Sequence, residues 1–169
     1  VNAALAAGVF GVDADIILMA GTCGALNAEA GPYWIAQAVQ HDYGNAQAGG
    51  FTRYRAGDLP VGKAGPLNFI AEDDFGLGLP HAHIASGDCF IADGDAAAEM
   101  AKALNVQLVD MEVAAVAQAA TQMDKPWAAI KAVSDNANGA SGDDFRANLR
   151  RAAGQSGAAI EKWIKLYSK

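Results

Sequence analysis

Two apolar runs that end abruptly in carboxylates constrain the fold of this chain more than any other feature. The first run leads into Asp110 and Glu112, and the second leads into Asp135 within the segment 132–136. A buried strand that ends in acidic residues places charged groups at its tip, and α/β folds bind ligands at such an edge of the sheet. Two tips so close in sequence predict neighbouring strands that share one pocket.

Candidate strands alternate with candidate helices along the whole chain. Short apolar or period-two runs indicate the strands, and Ala-rich or amphipathic stretches indicate the helices. The predicted strands are 15–20, 33–39, 81–86, 106–110 and 126–133, and the predicted helices are 1–12, 92–104, 112–123 and 141–167. This order predicts an α/β fold, a three-layer sandwich around a central, mostly parallel mixed sheet, as one domain over residues 1–169.

The sequence allows specific predictions for two further segments. Ser141 and Asp144 have the spacing of a capping box at the start of the last helix. That helix is predicted to face inward through Leu149, Ala153, Ile160 and Ile164. Residues 44–66 are rich in glycine and polar residues, yet they contain Phe51 and Leu59. We therefore predict an excursion there that contacts a partner subunit.

Charge and cysteine content exclude several classes of function. The formal net charge is −7, which argues against nucleic acid or an anionic membrane as a partner but not against a small neutral ligand. The apolar run 16–20 is too short to span a bilayer. Cys23 and Cys89 are better explained as small thiols in a reducing compartment than as a disulfide framework. A cytoplasmic protein is expected.

Four segments of this sequence, in order, resemble the nucleoside phosphorylase and nucleosidase superfamily. Segment 20–26 resembles the family's Gly-rich turn, and segment 86–91 resembles its base-stacking segment. Segment 111–112 resembles the Met-Glu pair that holds the ribose hydroxyls, and segment 134–135 resembles the Ser-Asp pair whose aspartate protonates the purine. One such motif would be weak evidence, but four in the family's order form a specific signal.

The resemblance implies an activity and an assembly. It implies hydrolysis of the N-glycosidic bond of an adenine nucleoside, such as 5′-methylthioadenosine or S-adenosylhomocysteine, with release of adenine and a ribose derivative. No metal or organic cofactor is expected, and a homodimer or a larger homo-oligomer is expected. In the family, a strand and an acidic turn precede the helix that resembles residues 1–12. We therefore expect this chain to lack an N-terminal segment that holds the acid positioning the attacking water.

Asp135 is the candidate general acid. A carboxylic acid donates a proton near neutral pH only where its surroundings favour the protonated form. Its position after an apolar strand makes burial expected, and Ser134 is placed to hydrogen-bond with it. From the residues alone, capping of a turn with Asn136 is the favoured alternative, whereas the resemblance favours the catalytic role.

Glu112 is the candidate ligand of the ribose hydroxyls. A carboxylate accepts two hydroxyl hydrogen bonds, and its charge favours an oxocarbenium-like sugar. Met111 would pack on the sugar, and Asp110 is a further contact, at a position where the family often has glutamate. The alternative is that Glu112 is a first-turn acid stabilised by the helix dipole and that Met111 is a core residue. The two interpretations are compatible.

The remaining candidates surround the base and the sugar. The resemblance implies that Phe90 stacks on the base and that the backbone of Ile91 reads the base edge, although Phe90 could also be a core residue in a turn. It also implies that Thr22 and the backbone of Cys23 and Gly24 lie near the sugar or the nucleophile. The alternative is a turn without a binding role.

Met19 bears on the type of reaction. Bacterial purine and uridine phosphorylases of the superfamily have an arginine at this position, where it binds phosphate. A thioether cannot pair with phosphate, so water is favoured as the nucleophile. Two alternatives remain: a phosphate-dependent purine nucleoside phosphorylase, and a non-catalytic nucleoside-binding or oligomerisation module.

Overall fold

A mixed sheet forms the centre of the computed structural model, which describes residues 2–54 and 67–168. Its helices and strands, in chain order, are α1 (Asn2–Phe10), β1 (Ile17–Ala25), β2 (Pro32–Gln40), β3 (Gly44–Gln47), β4 (Gly50–Arg53), β5 (Asn68–Ile70), β6 (His81–Ser86), α2 (Gly94–Leu104), β7 (Leu108–Asp110), α3 (Val113–Gln122), β8 (Trp127–Asp135) and α4 (Ser141–Tyr167).

The strand order of the main sheet is β5-β2-β6-β7-β1-β8. Strands β1 and β8 are parallel, and β6 lies parallel between β2 and β7. Strand β7 is antiparallel to β1, and β5 is antiparallel to β2. These pairings confirm the predicted α/β fold with a mixed sheet. The sheet also closes on itself where β2 pairs antiparallel with β8, a contact that the sequence did not predict.

Helices cover both faces of this sheet. Strand β8 is buried along its whole length because its alternate side chains meet different helices. On one face Ala129 and Val133 pack in the cluster that contains α3, and on the other Ala128 and Ile130 pack with α4. Val109 of β7 packs with α2 on the same side as α4. The molecule is therefore the predicted three-layer sandwich.

Strand β1 is longer than the sequence predicted. The predicted strand ended before Gly21, but β1 continues to Ala25, so most of the Gly-rich segment is strand and not turn. The backbone of this segment stays in strand conformation because it pairs in parallel with β8. Gly21 leaves room for a neighbouring side chain, since a Cβ atom there would lie 3.1 Å from Lys131 Nζ.

The inward face predicted for α4 was wrong in most positions. Leu149 and Ile164 are exposed, and only Ile160 of the predicted set packs against the core. The residues that α4 buries are Ser141, Ala152, Ser156 and Trp163. The Trp163 ring stacks on Trp34 at a centroid distance of 5.5 Å, and its indole N–H donates to the Asp73 carbonyl at 3.2 Å. These contacts fix the rotation of the helix.

The capping box was also wrong. Ala140 precedes the helix and makes no side-chain cap bond, while Ser141 is the first helical residue. The Ser141 hydroxyl instead accepts a hydrogen bond from the Asn138 backbone N–H at 2.6 Å. Ser141 therefore stabilises the turn before α4.

The predicted excursion begins as an antiparallel hairpin. Strands β3 and β4 pair across a short turn, and Phe51 is partly exposed on β4. Leu59 and the rest of segment 55–66 lie outside the described residues. Within ranges 2–54 and 67–168, no helix combines the length and the apolar character needed to cross a bilayer.

Candidate functional site

A cavity of about 530 Å³ lies beside the ends of β1, β7 and β8. Its size is within the range of small-molecule sites. Every residue predicted for the site contributes to its lining: Thr22, Cys23, Gly24, Phe90, Ile91, Asp110, Met111, Glu112, Ser134 and Asp135. The strands that end in Asp110 and Asp135 were predicted to be neighbours, and this was wrong. Strand β1 lies between β7 and β8 and pairs with both, which brings the two strand ends to one cavity.

Asp135 is a buried carboxylate at the end of β8, with 4% of its surface exposed. Its Oδ2 lies 2.9 Å from the Ser134 hydroxyl, and its Oδ1 accepts from the Ala137 N–H at 3.1 Å. A Cβ atom on Gly24 would lie 3.0 Å from Asp135 Oδ1. Gly24 therefore leaves the space in which this carboxylate sits. The bond to Ala137 is the turn contact considered in the alternative interpretation.

The Ser134 hydroxyl has two partners. Its Oγ lies 3.2 Å from the Cys23 carbonyl oxygen and 2.9 Å from Asp135 Oδ2. A hydroxyl group has one proton to donate and can also accept. When Ser134 donates to the Cys23 carbonyl, its oxygen is free to accept a hydrogen bond from a protonated Asp135.

Lys131 is a buried cation that the sequence analysis did not include in the site. Its Nζ lies 2.8 Å from Asp110 Oδ2 and 3.1 Å from Glu112 Oε2. Burial alone would lower the pKa of Lys131, but the charges of Asp110 and Glu112 outweigh burial and raise it. Lys131 therefore stays protonated and holds both carboxylates. A lone lysine inside an apolar strand run was the signal that could have identified it.

Asp110 anchors the start of α3. Its carboxylate accepts from the Val113 N–H at 3.1 Å and from the Ser86 hydroxyl. The Ser86 Oγ in turn accepts from the Ala114 N–H at 2.9 Å. Asp110 is therefore fixed by protein groups on all sides, and it determines where the following residues point.

Glu112 is the residue just before α3 and makes no side-chain cap bond to that helix. Its side chain is 44% exposed and reaches Lys131 on one side and the cavity on the other. Met111, beside it, is 39% exposed rather than a core residue. Both side chains are thus available to a ligand.

Phe90 forms part of an aromatic wall with Phe145. Their rings meet edge to face at a centroid distance of 6.3 Å, and Phe90 is 49% exposed. Gly142, Phe145 and Arg146 bring the start of α4 into the lining. These residues were not predicted from the sequence, although an aromatic residue in the first turns of a helix that follows the Asp135 strand was a usable signal.

The Cys23 thiol is buried on β1. Burial and the nearby charge of Asp110 raise the pKa of the Cys23 thiol. A thiol that stays protonated is not a nucleophile. The contribution of Cys23 to the site is its backbone carbonyl, which contacts Ser134.

Comparison with known proteins identifies the family of this chain. The family model for the phosphorylase superfamily matches residues 1–165. The chain belongs to the phosphorylase superfamily. A relative within it, the 5′-methylthioadenosine/S-adenosylhomocysteine nucleosidase of Staphylococcus aureus (strain MRSA252), is 30% identical over 158 residues. The match covers 89% of this chain and 69% of the relative.

Solved structures of the superfamily share the fold. The 5′-methylthioadenosine/S-adenosylhomocysteine nucleosidase of Neisseria meningitidis, in complex with methylthio-immucillin-A, is similar with a TM-score of 0.80 and 27% identity, over 97% of this chain and 76% of that one. Futalosine hydrolase of Helicobacter pylori is similar in fold, with a TM-score of 0.79 and 21% identity, over 96% of this chain and 74% of that one.

Proposed function

We propose that this protein hydrolyses the N-glycosidic bond of an adenine nucleoside, such as 5′-methylthioadenosine or S-adenosylhomocysteine, and releases adenine and a ribose derivative. One observation carries the proposal: buried Asp135 and the Lys131-held Glu112 line the same cavity. The relative from Staphylococcus aureus, at 30% identity, is a nucleosidase with this pair of substrates in its name.

Asp135 acts as the general acid. When the bond between C1′ and the purine breaks, its electron pair moves into the purine ring, and Asp135 supplies the proton that neutralises the ring, at N7. Water then adds to C1′ and releases a proton, so that protons balance over the cycle. The Ser134 hydroxyl, which can donate to the Cys23 carbonyl and accept from a protonated Asp135, supports this role.

Glu112 binds the 2′- and 3′-hydroxyls of the ribose. Its negative charge stabilises the positive sugar of the transition state, and Met111 packs against the sugar. Lys131 occupies one side of the carboxylate, at 3.1 Å from Oε2, so the other lone pairs remain for the hydroxyls. Asp110 acts through Lys131 and α3 as a positioning residue.

The base lies against the aromatic wall. Phe90 stacks on the purine, and the backbone of Ile91 reads its edge, while Phe145 packs edge to face against Phe90. Thr22 and the backbone of Gly24 border the sugar. The exposed ring of Phe90 supports this assignment, since a core residue would be covered.

Water is the nucleophile in this proposal. The Met19 side chain packs against the main core cluster, and among the described residues that line the cavity, Arg146 is the one with a cationic side chain. A phosphate site generally gathers several such donors. Phosphorolysis is therefore the less favoured reaction.

The chemical form of the sugar product distinguishes hydrolysis from phosphorolysis. The wild-type protein is incubated with 5′-methylthioadenosine in ¹⁸O-labelled water, with and without phosphate, and the sugar is analysed by mass spectrometry. We expect free adenine in both buffers and one ¹⁸O atom on C1 of methylthioribose. A sugar phosphate without the label would identify a phosphorylase. Binding without release of adenine would indicate a nucleoside-binding module.

A homo-oligomeric state and a cytoplasmic location complete the proposal. Leu5, Val9 and Phe10 are exposed on α1, and a row of exposed apolar side chains favours association. Light scattering on the purified protein tests the assembly, and a monomer at micromolar concentration would contradict it.

A further inference from the structure

The described part of the cavity lining contains one cationic side chain to which the proposed reaction gives no role. Arg146 contributes to the lining, whereas the other ionisable side chains in it, apart from the cysteines, are Asp110, Glu112 and Asp135. Asp110 is held by Lys131 and α3. Within the proposed function, Asp135 protonates the purine and Glu112 binds the ribose hydroxyls. Arg146 is therefore the charged residue that is left to contact the third part of a nucleoside, the group on its 5′ carbon.

Arg146 has an acidic neighbour on the same helix. Its Nη1 lies 3.2 Å from Asp143 Oδ1, and the two side chains are 80% and 92% exposed. An exposed ion pair of this kind contributes little to stability. A ligand that offers both charges can therefore replace the contact between the two side chains without a large cost.

The surrounding charges favour a zwitterion over a simple anion. Asp143 and Asp144 both lie in the first turn of α4, so a group with negative charge alone would be repelled. An α-amino acid group has a carboxylate for the Arg146 guanidinium, which recognises carboxylates in bidentate fashion. It also has an ammonium for Asp143.

We propose that Arg146, together with Asp143, is a specificity-determining pair that selects nucleosides whose 5′ group ends in an α-amino acid. S-adenosylhomocysteine has such a group, and 5′-methylthioadenosine ends in a neutral methyl group. The inference rests on the proposed function and deepens it, because it names which of the two substrates the pair favours.

Kinetics with both substrates test the pair. KM and kcat are measured for S-adenosylhomocysteine and 5′-methylthioadenosine with the wild type, Arg146→Gln, Arg146→Lys and the control Arg150→Gln. Arg150 is exposed one turn further along α4 and does not contribute to the cavity lining. In Arg146→Gln, the ratio of KM for S-adenosylhomocysteine to KM for 5′-methylthioadenosine should rise about threefold, since a contact made by an exposed charged group is weak. Arg146→Lys should restore part of this ratio, and Arg150→Gln should leave it unchanged.

Two results would overturn the inference while leaving the proposed function intact. One is an unchanged ratio in Arg146→Gln, and the other is an equal rise of KM for both substrates. If the wild type releases adenine from neither substrate, the proposed function fails. The pair is then tested by calorimetric titration, in which the ratio of the two dissociation constants should show the same threefold change in Arg146→Gln.

Discussion

At the scale of single residues, Lys131 is the clearest case of a side chain whose importance the structure reveals. It is 2% exposed and pairs with Asp110, which is equally buried. Removal of one partner from a buried ion pair leaves an uncompensated charge. The sequence shows only a lysine in an apolar run, and it cannot show which carboxylates lie across the sheet.

Replacement of Lys131 by methionine should destabilise the fold strongly. We expect Lys131→Met to lower the free energy of unfolding by about 3–5 kcal/mol, because Asp110 stays buried without its partner. Urea denaturation measures this change, and Lys102→Met, at an exposed site on α2, is the control. The double variant Lys131→Met/Asp110→Asn should lose less than the sum of the single changes. Strict additivity would show that the two groups are not coupled.

Substitution of Gly24 tests whether the general acid depends on the space beside its carboxylate. A Cβ atom there would lie 3.0 Å from Asp135 Oδ1 and 3.2 Å from Val109 Cγ1, so Gly24→Ala should displace the carboxylate. Because small misplacements near the chemistry are costly, we expect kcat to fall about 100-fold. The matched control is Gly8→Ala, where nothing lies within 4 Å of a new Cβ atom. Equal kcat in the two variants would contradict the assignment.

At the scale of elements, α4 is the helix whose buried face was predicted wrongly from the sequence. The apolar stripe through Leu149 and Ile164 indicated one face, but α4 buries small residues and Trp163 instead. The buried side chains of α4 are small except for Trp163, whose stacking on Trp34 sets the rotation of the helix. A helix face that is predicted from apolar periodicity is defined by large apolar residues. Such a prediction overlooks Ser156 and Ala152, although both are buried.

Matched substitutions in α4 test this rotation. Trp163 is fully buried and Ile164 is 43% exposed. We expect Trp163→Ala to cost about 3–5 kcal/mol of unfolding free energy, and Ile164→Ala to cost no more than about 1 kcal/mol, as surface changes do. Thermal or urea denaturation provides both values. The reverse order would support the stripe that the sequence indicated.

At the scale of the whole molecule, the helices, the five predicted strands and the set of residues that line the cavity could be predicted from sequence, whereas strands β3, β4 and β5 were not predicted. Apolar runs identify the main strands, but the prediction that the strands ending in Asp110 and Asp135 are neighbours was wrong. Strand β1 lies between β7 and β8 and pairs with both. Three features depend on distant packing and could not be predicted. They are the pairing of β2 with β8, the reach of Lys131 across to Glu112, and the approach of Arg146 to the cavity.

The pH dependence of stability should reflect His41. Burial lowers the pKa of His41 from its usual 6.5, and its buried Nε2 has no hydrogen-bond partner among the described residues. Below about pH 6.5 the unfolded chain binds a proton that the native state resists, so stability should fall as the pH drops through this value. Urea denaturation between pH 5 and pH 8 measures the slope. His41→Gln should flatten it, and an unchanged slope would show that His41 is not responsible for the pH dependence.

The proposed function depends above all on proton donation from Asp135 to the departing purine. Its most direct test is the single-turnover rate of adenine release from 5′-methylthioadenosine in phosphate-free buffer, measured for the wild type and Asp135→Asn. Asp124→Asn is the control, at an exposed left-handed position where asparagine is well tolerated. We predict that Asp135→Asn is slower by about 100-fold or more although it still binds the nucleoside, and that Asp124→Asn matches the wild type. Equal rates in Asp135→Asn and the wild type would show that Asp135 does not protonate the purine.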